Sequence, residues 1–401
     1  MKRLTASILV ISLLVIGLSG MVAAKTQLDV WTFWSKSWVE PAIENFEESH
    51  PDAEVTYQQL TWNNGLDKIT AAFSAGNAPD VVELGSTWMG QFVESKALNK
   101  LDISDVRDEY TGWRGATVRG EVYGIPWFGS TNVVYYNVEL MEEAGLDPEN
   151  PPDTWPELLE ASKAINELGP GTSGFSLKIG GRFTTWQKFL PFAWSNGGRV
   201  LSEDWGSAML DNTPFVEALK FYNSLKASSL VATQEEARQA FYLGRLGMIY
   251  DGPGLNIDKE APDMEYVTSI LPRPDKEGTE SVGFSGADFL TVPVQTDHPE
   301  LATEMALELS QGNYISSRVN TLLPFYQKDL DALLDEHPEL ESFARVMENA
   351  TSPPPHPKWV SIQESITKAV EATLLGRGNP ESNLAEAQKT VNELIEEYQS
   401  S

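Results

Sequence analysis

The amino-acid sequence predicts an α/β protein in which parallel strands alternate with covering helices, divided into at least two domains. Residues 28–84 alternate strand, helix, strand, helix and strand, an order that is typical of a parallel sheet. The length of 401 residues exceeds what a single hydrophobic core usually organises. Hydrophobic residues make up 41% and charged residues 22%, values that exclude a disordered or fibrous chain.

The first five elements follow from hydrophobic periodicity and turn residues. In "AAFSAGNAPDVVEL" (71–84), Gly76 is placed as a helix C-cap, Pro79 prevents continuation of the helix, and "VVEL" predicts a buried strand. Because ligands of open α/β sheets bind at the carboxyl ends of strands, "GSTW" directly after this strand is a candidate ligand-contacting segment. The predicted elements are strand 28–33, helix 39–51, strand 53–60, helix 64–76 and strand 80–84.

The rest of the chain continues the mixed pattern and contains no internal repeat. Residues 121–137 predict two extended pieces around a Gly/Ser break, and a strand is expected to end at Asp251. A capping box from Thr154 to Glu157 starts a helix within 151–169. Residues 351–359 are too rich in proline for regular structure. Helices are predicted in the last third at 298–310, 338–349, 361–375 and 381–399.

The N-terminus has the layout of a secretory signal peptide. A basic "MKR" precedes the apolar run "ILVISLLVIGL", and small residues follow before Lys25, which predicts cleavage after Ala24. The chain contains no cysteine, which excludes disulfides, thiolate chemistry and a lipid-modified cysteine anchor. We therefore expect residues 1–24 to be removed and the mature protein to be periplasmic and untethered.

Charge and motif content exclude several classes of function. The formal net charge of −29 repels nucleic acid and anionic lipid, so neither is an expected partner. Each of the four histidines directly precedes a proline, and none is spaced from another as a metal pair would be. Neither a nucleophile elbow nor a phosphate-binding loop motif is present. No catalytic residue, metal or cofactor is expected.

The twelve tryptophans are the most informative residues. They recur at Gly/Ser/Pro-punctuated breaks, next to short polar residues that could hydrogen-bond hydroxyl groups. The apolar face of a sugar ring packs on an aromatic ring, while its hydroxyls need such polar partners. The pattern favours a cleft that binds a neutral sugar. The stretches are "WTFWSKSW" (31–38), "LTWNNG" (60–65), "GSTWMG" (85–90), "IPWFGS" (125–130), "TTWQKF" (184–189) and "PKW" (357–359).

An ordered set of motifs resembles one known family, the extracellular solute-binding proteins of ATP-driven sugar importers, which includes maltose-binding protein. The resemblance covers essentially the whole mature chain. At the family's "DGPW" aromatic position this sequence has Gly254, so a stacking residue is absent there. The motifs, in order, are "IENFEESHPDAEVTY", "KITAAFSAGNAPDVVEL", "YGIPWFGSTNVVYYN", "PPDTWPELLEASKAI", "LGRLGMIYDGPG" and "LLGRGNPESNLAEAQKTVNEL".

The resemblance implies a two-lobe periplasmic binding protein fold with hinge crossings and a ligand cleft between the lobes. The expected N-terminal lobe comprises residues 25–128 and 286–318, and the C-terminal lobe comprises 129–285 and 319–401. The implied function is non-covalent: a sugar or oligosaccharide bridges the lobes, stabilises a closed form and is delivered to the membrane permease of an ABC importer. The protein is expected to act as a monomer.

The candidate ligand-binding residues combine aromatic rings with short polar and charged groups. Asp251 and Asp288 are expected to accept hydrogen bonds from hydroxyls, and the tryptophans are expected to stack on sugar rings. Trp359, just before a predicted helix, corresponds to a stacking position of the family. The candidates are Trp34, Ser35, Lys36, Asn63, Ser86, Thr87, Trp88, Trp127, Ser130, Arg182, Trp186, Asp251, Asp288 and Trp359.

Two alternatives remain open from the sequence. The first is a secreted carbohydrate-active hydrolase, for which the many carboxylates could supply a catalytic pair. The second keeps the fold but changes the cargo to a polyamine or to iron. A polyamine would need several carboxylates around the aromatic residues of the cleft, and iron would need an oxygen-ligand site assisted by an anion.

Overall fold

The structure is a computed structural model that describes residues 25–400, apart from Asn63, 182–183, 313–321 and Pro355, and apart from the side chains of Arg114 and Asp258. The predicted signal peptide, residues 1–24, lies outside the described residues. No helix in the described part of the chain is long and apolar enough to cross a membrane.

The described elements are mixed α/β throughout. The strands are β1 Thr26–Thr32, β2 Ala53–Gln59, β3 Val81–Gly85, β4 Thr117–Val118, β5 Glu121–Val122, β6 Ile125–Ser130, β7 Val133–Asn137, β8 Phe175–Lys178, β9 Ser229–Ala232, β10 Met248–Asp251, β11 Tyr266–Ser269, β12 Gly283–Phe284, β13 Gly286–Thr291, β14 Leu323–Pro324 and β15 Ala350–Thr351. The helices are α1 Lys36–Ser49, α2 Gly65–Ala75, α3 Met89–Glu94, α4 Trp113–Ala116, α5 Val138–Glu143, α6 Trp155–Asn166, α7 Thr184–Ser195, α8 Thr213–Ser224, α9 Gln234–Tyr242, α10 Ile257–Glu260, α11 Pro299–Ser310, α12 Gln327–Glu336, α13 Glu341–Glu348, α14 Trp359–Leu374 and α15 Pro380–Ser400. Short 3-10 turns occupy Arg107–Glu109, Leu225–Ser228 and Pro338–Leu340.

A six-stranded sheet in the order β14-β6-β13-β3-β1-β2 organises the first lobe. Strand β1 pairs in parallel with both β2 and β3, which confirms the alternation predicted from residues 28–84. The sheet as a whole is mixed, because β13 lies between β3 and β6 and is antiparallel to both. Helix α11, which follows β13, buries Ala302, Met305 and Ala306 in the core of this sheet.

The second lobe is built on smaller sheets and a larger helical core. Strands β10-β7-β11 form an antiparallel sheet, and β8 pairs in parallel with β9. One core beside them is formed by α6, α7, α8, α14 and α15, and a second core lies between α9, α12 and α13. The match of this architecture to two-lobe binding proteins is described below.

The chain passes between the two sheets at two described crossings. Thr131 and Asn132 connect β6 to β7, and Ser285 connects β12 to β13. The hydroxyl of Thr131 donates to the carbonyl of Phe284 at 2.6 Å, which ties the two crossings together. The predicted lobe boundary at 285/286 lies next to Ser285, the one at 128/129 lies within β6, before Thr131, and the one at 318 lies within 313–321, outside the described residues. The lobe boundaries therefore stay a prediction.

Local signals placed most element ends correctly. Helix α6 starts with the capping box of Thr154 and Glu157, and Gly76 caps α2 with φ of 74°, a backbone conformation that glycine adopts without strain. The helix predicted at 338–349 is divided into a 3-10 turn and α13. Helix α14 begins at Trp359, two residues earlier than predicted, so Trp359 belongs to the helix itself.

Candidate ligand-binding cleft

A cavity of about 460 Å³ lies where the carboxyl end of β3 faces residues of the second lobe. Its wall contains residues from β3, from both crossings, from helices α7 and α9, and from the end of β10. This is the position in which ligands of α/β sheets bind. The candidate residues in this wall are Trp34, Ser86, Thr87, Trp88, Ser130, Trp186, Asp251 and Asp288.

The remaining candidates lie elsewhere or outside the described residues. Ser35 is the N-cap of α1, and Lys36 in its first turn is exposed and pairs with Glu40 at 3.5 Å. Trp127 is buried in the first-lobe core, where its ring stacks on Phe128. Asn63 and Arg182 are outside the described residues.

Trp359 is placed away from the cleft. Its side chain is 0% exposed within the second-lobe core, and its ring meets that of Trp186 edge-on at 5.4 Å. The expectation that the ring projects from the start of the helix is wrong because α14 begins at Trp359 itself, and this first residue packs on α7. Trp186 itself is fully buried and separates Trp359 from the cavity.

The first-lobe wall of the cavity is aromatic. Trp62 stacks on Phe33 with ring centroids 4.0 Å apart and planes inclined by 13°, and Trp88 lies 5.5 Å from Trp62. Trp62 is 47% exposed, so one face of its ring is available to a ligand. Trp62 was not among the candidates, although it precedes two asparagines in "LTWNNG", which is the pattern that had selected the other tryptophans.

Two carboxyl groups lie together at the base of this aromatic wall. Glu83 on β3 is fully buried and accepts hydrogen bonds from the Phe33 amide at 2.7 Å and the Trp34 indole at 3.0 Å. Asp288 on the neighbouring β13 reaches the cavity from the same sheet. Burial raises the pKa of Asp288 to about 7. Burial, with the nearby Asp288 charge, also raises the pKa of Glu83 well above its usual value.

This pair should make the stability of the protein depend on pH. A carboxyl whose pKa is higher in the folded than in the unfolded chain binds its proton more tightly when folded, so stability falls as pH rises from about 4 to about 7. At about 1.4 kcal/mol per pKa unit, a loss of about 1–3 kcal/mol between pH 5 and pH 8 is expected from the pair. Asp288→Asn should reduce this difference in unfolding free energy by the part that Asp288 contributes, measured by chemical denaturation at both pH values.

The control for this prediction is Asp335→Asn, which changes an exposed carboxylate on α12. It should leave the difference between pH 5 and pH 8 as it is in the unmodified protein. An equal pH dependence in Asp288→Asn and the unmodified protein would show that Asp288 does not titrate in this range.

The second-lobe side contains a buried cluster of charges, which we call the cation cluster: Lys178, Lys188, Arg238 and Asp251. Lys188, Arg238 and Asp251 line the cavity. Arg238 donates to both oxygens of Asp251, at 3.0 Å from Nε and 2.9 Å from Nη2. The Lys188 and Lys178 ammonium groups lie 3.5 Å and 3.9 Å from the carboxylate. Burial would raise the pKa of Asp251, but Lys188, Arg238 and Lys178 together hold that pKa well below its usual range.

The oxygens of Asp251 are thus occupied by protein groups. Besides Arg238, Oδ1 accepts from the Gly252 amide at 2.8 Å and from the Gln234 side chain at 3.4 Å. We expected Asp251 to accept hydrogen bonds from ligand hydroxyls, and this remains untested. The geometry gives the carboxylate a different role: it holds Arg238 and Lys188 at the cavity wall, and it lies 3.9 Å from the buried ammonium of Lys178.

The lysines and the arginine of the cluster were missed in the sequence because they lie on helices and on β8, away from the turns where polar residues were sought. Gln234 and Arg238 are four residues apart on α9, and this spacing places both on one helix face. That spacing is a signal that could have been used. Nothing in the local sequence of Lys178 or Lys188 indicates that they meet Asp251.

A second cavity, of about 670 Å³, continues the cleft and shares Ser86 with the first. Its first-lobe side includes Gly115 and Thr117, and its second-lobe side includes Trp194 and Trp205. The two adjoining cavities together form an extended space between the lobes. Within the described residues, no group of three or more acidic or histidine side chains is arranged to hold a metal ion.

Comparisons with known proteins agree with this fold and this cleft. The profile described as "Bacterial extracellular solute-binding protein" matches residues 34–306. The sugar-binding protein MalE from Xanthomonas citri has a similar structure, with a TM-score of 0.83, 21% identity, and coverage of 93% of this chain and 98% of that one. The architecture is therefore that of the two-lobe periplasmic binding proteins.

Two relatives are similar in sequence over most of their length. The diacetylchitobiose binding protein DasA of Streptomyces coelicolor is 25% identical, over 84% of this chain and 81% of that protein. The sn-glycerol-3-phosphate-binding periplasmic protein UgpB of Agrobacterium fabrum is 26% identical, over 72% of this chain and 71% of that protein. This chain belongs to the bacterial extracellular solute-binding protein family, whose members are binding proteins rather than enzymes.

Proposed function

We propose that the protein binds a sugar or an oligosaccharide between its lobes and delivers it to the membrane permease of an ABC importer. The observation that carries the proposal is the half-exposed ring of Trp62, which lines one cavity together with Trp34, Trp88 and the short polar side chains of Ser86, Thr87 and Ser130. A sugar needs this combination, because its ring faces are apolar and its edges carry hydroxyls.

The extent of the cleft supports a saccharide of more than one ring. The second cavity extends the binding space past Ser86 and brings Trp194 and Trp205 within reach of a longer ligand. The relative DasA is named for a disaccharide derivative, which is consistent with a site of this size. In this proposal the ligand contacts both lobes and favours their closed arrangement, which the permease recognises.

The proposal divides the chain into the two lobes predicted from the sequence. The N-terminal lobe comprises residues 25–128 and 286–318, and the C-terminal lobe comprises residues 129–285 and 319–401. It also includes export by the N-terminal segment, a periplasmic location and action as a monomer. The membership of an extracellular solute-binding family supports export.

Isothermal titration calorimetry with a panel of neutral and acidic saccharides of one to four rings tests the proposal. At least one saccharide should bind with a dissociation constant in the micromolar range or below, and chromatography after incubation should recover it unchanged. Cleavage of the ligand would show that the protein is a hydrolase. Absence of binding to any saccharide, together with binding of a polyamine or ferric ion, would replace the proposed cargo.

The Trp62 ring should contribute strongly to affinity. Trp62→Ala removes a stacking surface from the ligand, and the expected loss is about 2–3 kcal/mol, or roughly 30- to 150-fold in dissociation constant. Because the ring is 47% exposed, the melting temperature of the ligand-free protein should change little. Calorimetry with the best-binding saccharide and thermal unfolding of the same variant measure both quantities.

The matched control is Trp31→Ala, which removes a partly buried tryptophan on β1 that does not line the cavity. This variant should keep the affinity of the unmodified protein. If Trp62→Ala and Trp31→Ala bind equally well, the aromatic wall does not hold the ligand.

A further inference from the structure

We propose that the transported ligand carries an anionic group, a carboxylate or a phosphate, and that this group binds against Lys188 and Arg238 in the second-lobe wall. The inference deepens the proposed function and rests on it, because it assigns the chemical class of the sugar. It departs from the neutral sugar that the sequence favoured.

The first step is the balance of charge in the cation cluster. Lys178, Lys188 and Arg238 surround Asp251, which is the acidic group that the described residues place within ion-pair distance of them. Asp251 balances Arg238, which it pairs with at both oxygens, so protonation of either lysine leaves the cluster with an excess of positive charge. The chain as a whole has a formal charge of −29, which makes a positive site in the cleft a departure from its surroundings.

The second step is burial. Asp251 and Lys178 are each 1% exposed and Lys188 is 4% exposed, whereas Arg238 is 23% exposed on the cavity side. Burying a cation is unfavourable unless the cation is paired. The free energy lost when a charge is removed from water exceeds the attraction to a single distant carboxylate. The Lys178 ammonium makes no hydrogen bond within the described part of the chain. Burial lowers the pKa of Lys178 to about 7 and also lowers the pKa of Lys188.

The third step is access. Lys188, Arg238 and Gln234 line the same cavity as Trp62, so a ligand on the aromatic wall also faces the cluster. Lys188 donates one N–H group to the side-chain oxygen of Asn132 and directs a second toward Asp251. One of its three N–H groups is left for a ligand. The guanidinium of Arg238 retains donors beyond the two that contact Asp251. These donors suit the oxygens of a carboxylate or phosphate.

The opposite wall explains how such a ligand would be oriented. Glu83 and Asp288 lie under the aromatic residues of the first lobe, and burial raises the pKa of both, so this wall offers an anionic group carboxyls rather than a cationic partner. A sugar stacked on Trp62 therefore finds the cationic partners for its charged group in the second lobe. The relative UgpB, named for sn-glycerol-3-phosphate, is consistent with an anionic cargo in this family.

The test compares each acid with its neutral counterpart by calorimetry on the unmodified protein. The pairs are glucuronate and galacturonate with glucose and galactose, glucose 6-phosphate with glucose, and digalacturonate with digalactose. At least one acid should bind tenfold or more tightly than its neutral partner, as expected for hydrogen bonds to a charged group. The uronate and phosphate pairs distinguish a carboxylate ligand from a phosphate ligand.

Variants assign the preference to the cluster. Lys188→Met should reduce the acid-to-neutral affinity ratio at least tenfold. Lys188→Gln, which keeps a polar side chain, should do the same if the methionine variant fails to fold. Lys100→Met removes an exposed lysine paired with Glu121 on the first lobe and should leave the ratio unchanged.

The outcomes separate this inference from the proposed function. If a neutral saccharide binds as tightly as its acid, or if Lys188→Met and Lys188→Gln retain the full preference for the acid, the anionic ligand is refuted while saccharide binding stands. If no saccharide of either kind binds, both proposals fail. Raising the salt concentration should weaken binding of the acid more than binding of the neutral partner.

Discussion

Replacement of Trp359 by alanine is expected to lower the free energy of unfolding by about 3–5 kcal/mol, the range found for deletion of a fully buried large aromatic side chain. The ring is 0% exposed and packs edge-on against Trp186 in the core formed with α14. Chemical denaturation of the ligand-free protein measures this loss, and its melting temperature should fall by several degrees.

The affinity for the best-binding saccharide should change much less than in Trp62→Ala, because Trp359 does not line the cavity. Trp359→Phe keeps most of the buried volume and should recover a large part of the lost stability. Normal stability of Trp359→Ala combined with a large loss of affinity would contradict the core position and return Trp359 to the ligand site, as first expected from the sequence.

The second large effect is expected for Asp251→Asn. The variant keeps the size of the side chain but removes the carboxylate that faces Arg238, Lys188 and Lys178. Breaking a buried ion pair by removal of one partner costs about 3–5 kcal/mol, since the remaining charges are left uncompensated. Chemical denaturation at pH 7 should show a loss of this size.

The control combines Asp251→Asn with Lys188→Met, which removes one of the cations that the carboxylate had held. The double variant should be more stable than Asp251→Asn alone, because fewer buried charges remain without a partner. If the single variant is as stable as the unmodified protein, the cluster is more hydrated than its buried position indicates.

Local sequence signals were sufficient for the first five elements of the first lobe, β1 to β3 with α1 and α2. The apolar periodicity of α1 and α2, the glycine at the end of α2 and the buried run of β3 predicted three parallel strands with covering helices. These features arise between residues that are close in the chain, so a single sequence reveals them.

The predictions that were wrong or missing concern features that depend on contacts between residues far apart in the sequence. Strand β13 follows β3 by about 200 residues in the sequence, yet the two strands are neighbours in the sheet. No local pattern predicts this pairing or its antiparallel direction. Trp359 follows a proline-rich segment whose path is set by the second-lobe core, so its burial could not be derived from its position before a helix.

The candidate site also contains residues that a local sequence signal identifies and residues that only the fold brings together. Tryptophans next to glycine, serine or asparagine led to Trp34 and Trp88 in the cavity wall, because turn residues at strand ends are a local signal. The cation cluster was not visible, since Lys178, Lys188 and Arg238 come from three separate elements that meet Asp251 only in the fold. The sequence therefore indicated a sugar cleft but not its charge.

Native mass spectrometry of the protein mixed with the best-binding saccharide tests the central claim, reversible binding of an intact sugar in the cleft, most directly. The account predicts one saccharide per chain, released at its original mass on collisional activation, and a strongly reduced adduct for Trp62→Ala. An adduct of equal abundance in the unmodified protein and in Trp62→Ala, or a released ligand of altered mass, would contradict it.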